Sequence, residues 1–166
     1  MADDASRDAA AHRGCRLRAA PAAPGLQRDR RGRLSVADVL IVVGSDSDKP
    51  RIEPAFEVLS KAGVSYEFHV SSAHRQPDQT ADLVKGARKK GFRVVIAGAG
   101  LSAALPGFAA SLTDLPVIGV PFATGPLNGL DALLATAQVP GGVPVACVGI
   151  DNAKNAALLA LRILKA

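Results

Sequence analysis

Val39-Leu40-Ile41-Val42-Val43-Gly44-Ser45-Asp46-Ser47-Asp48 is the stretch that decides the fold. Five aliphatic side chains in a row, without polar alternation, describe a strand covered on both faces, as strands of parallel sheets are. The small and capping residues that follow break the strand and lead into a helix. The same grammar recurs downstream. Strand-like runs fall at 39–43, 66–70, 93–97, 117–120 and 145–148, and helical patterns near 50–62, 78–90, 101–112, 128–137 and 152–165. Within the first helix Ile52, Phe56 and Leu59 share one face, and Gly63 is a natural stop. Pro77 followed by Asp78 reads as a helix start. This alternation predicts an α/β fold around a parallel sheet of about five strands with right-handed crossovers.

The bulk properties agree with one domain. The chain has 166 residues, 48% hydrophobic but only 4% aromatic, so alanine, valine, leucine and glycine must build the interior. The net charge of +5 is unevenly placed: residues 1–35 hold eight Arg, no Lys and four Asp, a net of +4, which leaves +1 for 36–166. The segment 1–35 reads as a disordered Arg/Ala-rich tail. Its acids Asp3, Asp4, Asp8 and Asp29 argue against a transit peptide, and an upstream start codon is a further reading. Residues 36–166 form the single expected domain. That domain is nearly neutral and lacks a basic stripe with interleaved aromatics, which argues against nucleic acid as a partner. Cys15 and Cys147 do not suggest a pair, and no Cys/His cluster has ligand spacing, so a reduced cytoplasmic compartment and no metal are expected. No apolar run approaches the ~20 residues of a membrane helix.

In a parallel sheet, ligands bind beyond the carboxyl ends of the strands, so the strand-to-helix loops carry the function. The first, 44–48, offers serine hydroxyls and helix-entry amides that suit a phosphate, with one carboxylate left for a sugar hydroxyl. The competing reading is that Ser47 or Asp48 only caps the helix. The second, Ser71-Ser72-Ala73-His74-Arg75-Gln76-Pro77, is the richest in chemistry. His74 can give and take a proton near neutral pH. Arg75 beside it brings a fixed charge and a forked donor for phosphate or carboxylate. The bland alternative for His74 is a solvated loop histidine; His69, inside a strand pattern, reads as packing or surface. The third loop, Gly98-Ala99-Gly100-Leu101-Ser102-Ala103, fits the dinucleotide pattern G-x-G-x-x-A, a weak signal on its own. It follows the wrong strand, and the next strand ends without an acid for a ribose, so NAD is rejected. Its glycines instead suggest close approach of a substrate to the backbone. A receiver domain is excluded because the third strand ends in Ala97-Gly98 rather than an aspartate. A flavodoxin is excluded because the chain has no Trp and one Tyr, Tyr66, at a strand start.

Taken together, Gly44-Ser45-Asp46-Ser47-Asp48, Ser72-Ala73-His74-Arg75-Gln76-Pro77, Ala97-Gly98-Ala99-Gly100, Leu105-Pro106-Gly107, Gly119-Val120-Pro121 and Leu127-Asn128-Gly129-Leu130-Asp131 resemble the mutase branch of the PurE family, the N5-carboxyaminoimidazole ribonucleotide mutases. The likeness runs in order through residues 38–165. It implies a flavodoxin-like three-layer sandwich, a homo-octamer with sites at subunit boundaries and the C-terminal helix packed on a neighbour, a ribonucleotide substrate, and no cofactor. It implies that His74 is the catalytic acid/base. Ser45, Asp48 and Arg75 would bind substrate, Ser72 would lie near the reacting carboxylate, and Gly98 and Ala99 would supply backbone contacts. Two departures stand out. Ala104 replaces the histidine common before Leu-Pro-Gly in bacterial mutases, and Leu101-Ser102 replaces a Gly-Ala pair. Arg75 favours the mutase over the related direct carboxylase, which usually has lysine there. That carboxylase, using CO2 directly, is the alternative, and a non-catalytic nucleotide-binding module is a third.

Overall fold

The computed structural model describes residues 37–166; the tail 1–35 lies outside the described residues. Strand β1 (Val39–Val43) leads through a 3-10 turn (Asp46–Asp48) into α1 (Lys49–Lys61). Then come β2 (Tyr66–Val70), α2 (Pro77–Ala87), β3 (Val94–Gly100), α3 (Ala104–Ala110), β4 (Val117–Phe122), α4 (Leu130–Ala137), β5 (Ala146–Cys147) and α5 (Ala153–Lys165). The five strands form one parallel sheet in the order β2-β1-β3-β4-β5. Helices cover both faces, giving the three-layer, flavodoxin-like sandwich expected from the sequence.

Why the sheet is sandwiched follows from β1, each of whose five residues is 0% exposed. Val39, Ile41 and Val43 face a core completed by Ile52 and Leu59 of α1 and by Ala153, Ala156, Ala157 and Ala160 of α5. Leu40 and Val42 face the opposite core with Val84 and Ala87 of α2, Leu105 and Ala109 of α3, and Ala132 of α4. Burying one such aliphatic side chain contributes about 1.5–3 kcal/mol before entropy is counted. The alanine stripe of α5 lets that helix lie close to both the sheet and α1. Three of the six aromatics gather at one corner, where Phe56 stacks on Tyr66 at 5.0 Å and meets Phe68 edge-on at 5.2 Å. Helix starts and stops follow the sequence signals at Pro77, the first residue of α2, and at Gly63, which leaves α1 with φ of +67°.

Several boundaries differ from the sequence reading. Gly98-Ala99-Gly100 belongs to β3 rather than to a loop, and β4 continues through Pro121 and Phe122, because the two strands stay in register as far as Gly100 opposite Phe122. α3 begins at Ala104 instead of 101, since Leu101 and Ala103 take positive φ values of 51° and 27° that no α-helix admits. α4 begins at Leu130 because Asn128 and Gly129 are left-handed. β5 keeps only Ala146 and Cys147 of the expected run.

Gly119 shows how tightly the central strands are covered. A Cβ there would lie 2.3 Å from Thr136 Cγ2, 3.0 Å from Val145 Cγ1 and 3.1 Å from Pro106 Cβ. Gly119→Ala is therefore expected to destabilise the fold by about 1–3 kcal/mol, the usual effect of overpacking. Urea denaturation checks this: a midpoint equal to that of the parent chain would contradict the packing described.

Candidate active site

The sheet order reverses beside β1, which lies between β2 and β3, and it is at the loops leaving the strands at such a reversal that a parallel sheet binds its ligands. The first loop is held by its own hydroxyls. Ser45 caps the 3-10 turn, its Oγ accepting from Ser47 N, and the Ser45 and Ser47 hydroxyls lie 2.9 Å apart. Asp48 stands at the N-cap of α1 yet makes no side-chain capping bond. Asp48 thus does not cap α1 through its side chain. Asp48 is only 7% exposed. Burial pushes its carboxyl above the usual range, against the backbone hydrogen bond at Ser45 and the nearby positive charges of Arg51 and Arg75.

The second loop is tied to the first. Ser71 N donates to Val43 O at 2.9 Å, continuing the β1–β2 ladder by one residue. The Ser71 hydroxyl is buried and pairs with Thr80 Oγ1 of α2 at 2.7 Å, so Ser71 anchors the loop rather than facing a ligand. Ser72, also buried, accepts from Arg75 N through its hydroxyl at 3.3 Å and holds the turn on which His74 sits. His74 is exposed at the crest of that turn. Arg75 reaches back and donates from Nη2 to Gly44 O at 2.8 Å. This single bond joins the two loops and places the guanidinium beside Asp48. His69 faces away from this arrangement, paired with Glu67 on β2.

Gly98 and Ala99 lie near the end of β3, with Gly98 directly across from Val43. A Cβ on Gly98 would lie 2.4 Å from Phe122 Cζ. The absence of a side chain here first of all admits the Phe122 ring, a reason for glycine that lies within the chain itself.

Sequence reasoning missed two features at this end of the sheet. Asp151 binds Arg51 Nη1 through Oδ2 at 2.6 Å and accepts from Ala123 N through Oδ1 at 3.1 Å, tying α1 to the loop after β4. Nothing in a separation of 100 residues announces that pair; the only local signal, a polar residue before a helix, belongs to Asn152, which caps α5. The second feature is backbone strain. Leu101, Ala103, Asn128 and Asp151 all have positive φ and all lie in the loops after β3, β4 and β5. A left-handed non-glycine residue costs roughly 1–2 kcal/mol. Among the described residues no group of three His, Cys, Asp or Glu is placed to hold a metal ion. A cleft of about 350 Å³ between β5 and α5, lined by Cys147, Asn155 and Arg162, contains none of the residues singled out above.

Comparison with known proteins bears on this geometry. The family model described as AIR carboxylase matches residues 38–166. The N5-carboxyaminoimidazole ribonucleotide mutase of Pyrococcus horikoshii is 57% identical over 124 residues, covering 75% of this chain and 70% of that protein. The corresponding mutase of Thermotoga maritima is 55% identical over 124 residues, covering 75% and 72%. The crystal structure of Treponema denticola PurE superposes with a TM-score of 0.69 at 30% identity, covering 76% of this chain and 79% of that one. On the match through the whole sheet and all five helices, the chain belongs to the AIR carboxylase, or PurE, family.

Proposed function

We propose that this protein is the mutase of de novo purine (IMP) biosynthesis that converts N5-carboxyaminoimidazole ribonucleotide (N5-CAIR) to 4-carboxy-5-aminoimidazole ribonucleotide (CAIR). The observation that carries the reading is the bond from Arg75 to Gly44 O, which gathers an exposed histidine, a forked cation and a buried carboxylate at the sheet's crevice. Relatives more than half identical over 124 residues and bearing the mutase name support it.

Each residue then has a task that suits its setting. The hydroxyl of Ser45 and the guanidinium of Arg75 take the substrate phosphate, and Asp48 accepts from a ribose hydroxyl. Arg51 and Arg75 offset the repulsion between that carboxylate and a dianionic phosphate. Ser72 turns its hydroxyl to the reacting carboxylate, and Gly98 and Ala99 lie against the ring. The N–C bond of the carbamate breaks as its nitrogen takes a proton, releasing CO2 beside the ring. C4 attacks this CO2, and His74 removes the C4 proton, which restores aromaticity. The proton supplied at the start is recovered at the end, so one imidazole serves both steps and the reaction needs no external oxidant, reductant or cofactor. Such acid/base assistance is typically worth ~10²–10⁴ in rate. Holding CO2 close to C4 supplies an effective-concentration gain beyond that.

The exposed leucines Leu130 and Leu134, one turn apart on α4, with exposed Leu127 in the loop before it, fit an assembly in which the chain is a subunit of a homo-oligomer, an octamer by analogy with the family. α5 is packed on its own α1, so a neighbour would meet its outer face. Among the described residues no helix is long and apolar enough to cross a membrane, which fits a cytoplasmic enzyme.

Two variants test the roles. His74→Asn should retain ligand binding while turnover of N5-CAIR to CAIR falls by about 10² or more; substantial residual turnover would mean that another group moves the proton. Arg75→Ala should chiefly raise KM, about tenfold or more given one lost charge-assisted contact; an unchanged KM removes Arg75 from the binding site. Supplying aminoimidazole ribonucleotide (AIR) with bicarbonate in place of N5-CAIR separates the two branches, because efficient turnover of the former alone would identify a direct carboxylase.

A further inference from the structure

Leu101 is an exposed leucine that the fold takes trouble to hold still. Its φ is 51°, in the left-handed region that disfavours any side chain, and it is nonetheless 52% exposed. Its backbone N–H donates to Thr124 Oγ1 at 3.1 Å. Thr124 can reach that place only because residue 100 is glycine: a Cβ there would lie 1.8 Å from Thr124 Oγ1. The leucine side chain in turn lies against Gly125, where a Cβ would come within 2.5 Å of Leu101 Cδ2. Gly100, Thr124 and Gly125 thus form a clasp around one apolar residue, at the ligand-binding end of β3 and three positions beyond Gly98. A strained, exposed leucine adds little to folding stability, and backbone strain retained at such an end points to function.

The chemistry of the proposed reaction gives that leucine a task. Between its release and its recapture CO2 is uncharged, linear and unattached, and it is lost if water reaches it or if the cavity is open. An apolar wall that makes no hydrogen bond and excludes water retains such a molecule better than a polar one. We propose that Leu101, held by Thr124 and Gly125, is a wall of the compartment that retains CO2 during the mutase reaction. The proposal rests on the mutase reading.

The test reads a ratio, so it is insensitive to the fraction of active enzyme. Full-length wild type, Leu101→Gly, Leu101→Met and Thr124→Val are each supplied with N5-CAIR, and the AIR released is compared with the CAIR formed after subtracting uncatalysed decay. Leu101→Gly, which also relieves the positive φ, should raise the AIR-to-CAIR ratio about fivefold or more. It should also admit labelled bicarbonate from solution into CAIR. Thr124→Val should raise the ratio by a smaller factor, and Leu101→Met should restore it towards wild type. A ratio in Leu101→Gly within about twofold of wild type overturns the inference. So does an unchanged ratio accompanied by a smaller assembly on gel filtration, which would make Leu101 a subunit contact. A wild-type chain that forms no CAIR from N5-CAIR overturns the mutase reading and this inference together, whereas an active wild type with an unaltered leucine variant overturns the inference alone.

Discussion

The complete burial of β1 between two neighbouring strands and two helical layers is the constraint on which the rest depends. A strand that is apolar on both faces has to lie inside the sheet, with helices on either side. Here α1 and α5 cover one face, while α2, α3 and α4 cover the other. Because β2 pairs on one edge of β1 and β3 on the other, the chain departs in opposite directions from the two sides of the same strand. The crevice between those departures needs no insertion or extra domain. It follows from packing, and the chemistry-bearing loops are placed around it by the strand register that brings Val43 opposite both Val70 and Gly98.

Electrostatics then shape the crevice. A carboxylate buried as deeply as Asp48 would by itself be driven towards its neutral form, and two guanidiniums nearby pull the other way. One of them, Arg75, is fixed by a carbonyl of the first loop; the other, Arg51, is fixed by Asp151 across the fourth and fifth loops. Neither cation relies on Asp48 for its position. A ligand carrying both an anionic phosphate and neutral hydroxyls therefore meets charges that are already in place, which reduces the reorganisation needed on binding.

The sequence discloses this molecule unevenly, for physical reasons. Runs such as Val39-Leu40-Ile41-Val42-Val43 announce a buried parallel strand, and Pro77 and Gly63 mark helix ends through backbone properties that act locally. His74 and Arg75 are legible because their reactive groups sit in a short loop just past a strand. Boundaries governed by tertiary contact are not legible in this way. Gly98-Ala99-Gly100 reads as a loop because glycine is rare in strands, yet it stays in β3 because the Phe122 ring and the Thr124 side chain occupy the space that side chains would need. The late start of α3 depends on left-handed backbone at Leu101 and Ala103, which no propensity of leucine or alanine foretells. Arg51 and Asp151 look like ordinary surface charges until the fold places them together.

The shortness of β5 has a consequence for how this protein behaves at high concentration. Sheets rich in valine and isoleucine are prone to recruit further strands along an open edge. Here the margin of β4 is met by only two residues in strand conformation, Ala146 and Cys147. Beyond them irregular chain takes over: Val148 N donates to Gly119 O and Asp151 N to Pro121 O, while the Asp151 carboxylate takes the N–H of Ala123. The backbone groups a foreign strand would seek at the upper end of β4 are engaged by a bent loop that offers no straight ladder outward. By its shape that margin offers a foreign strand little to template on.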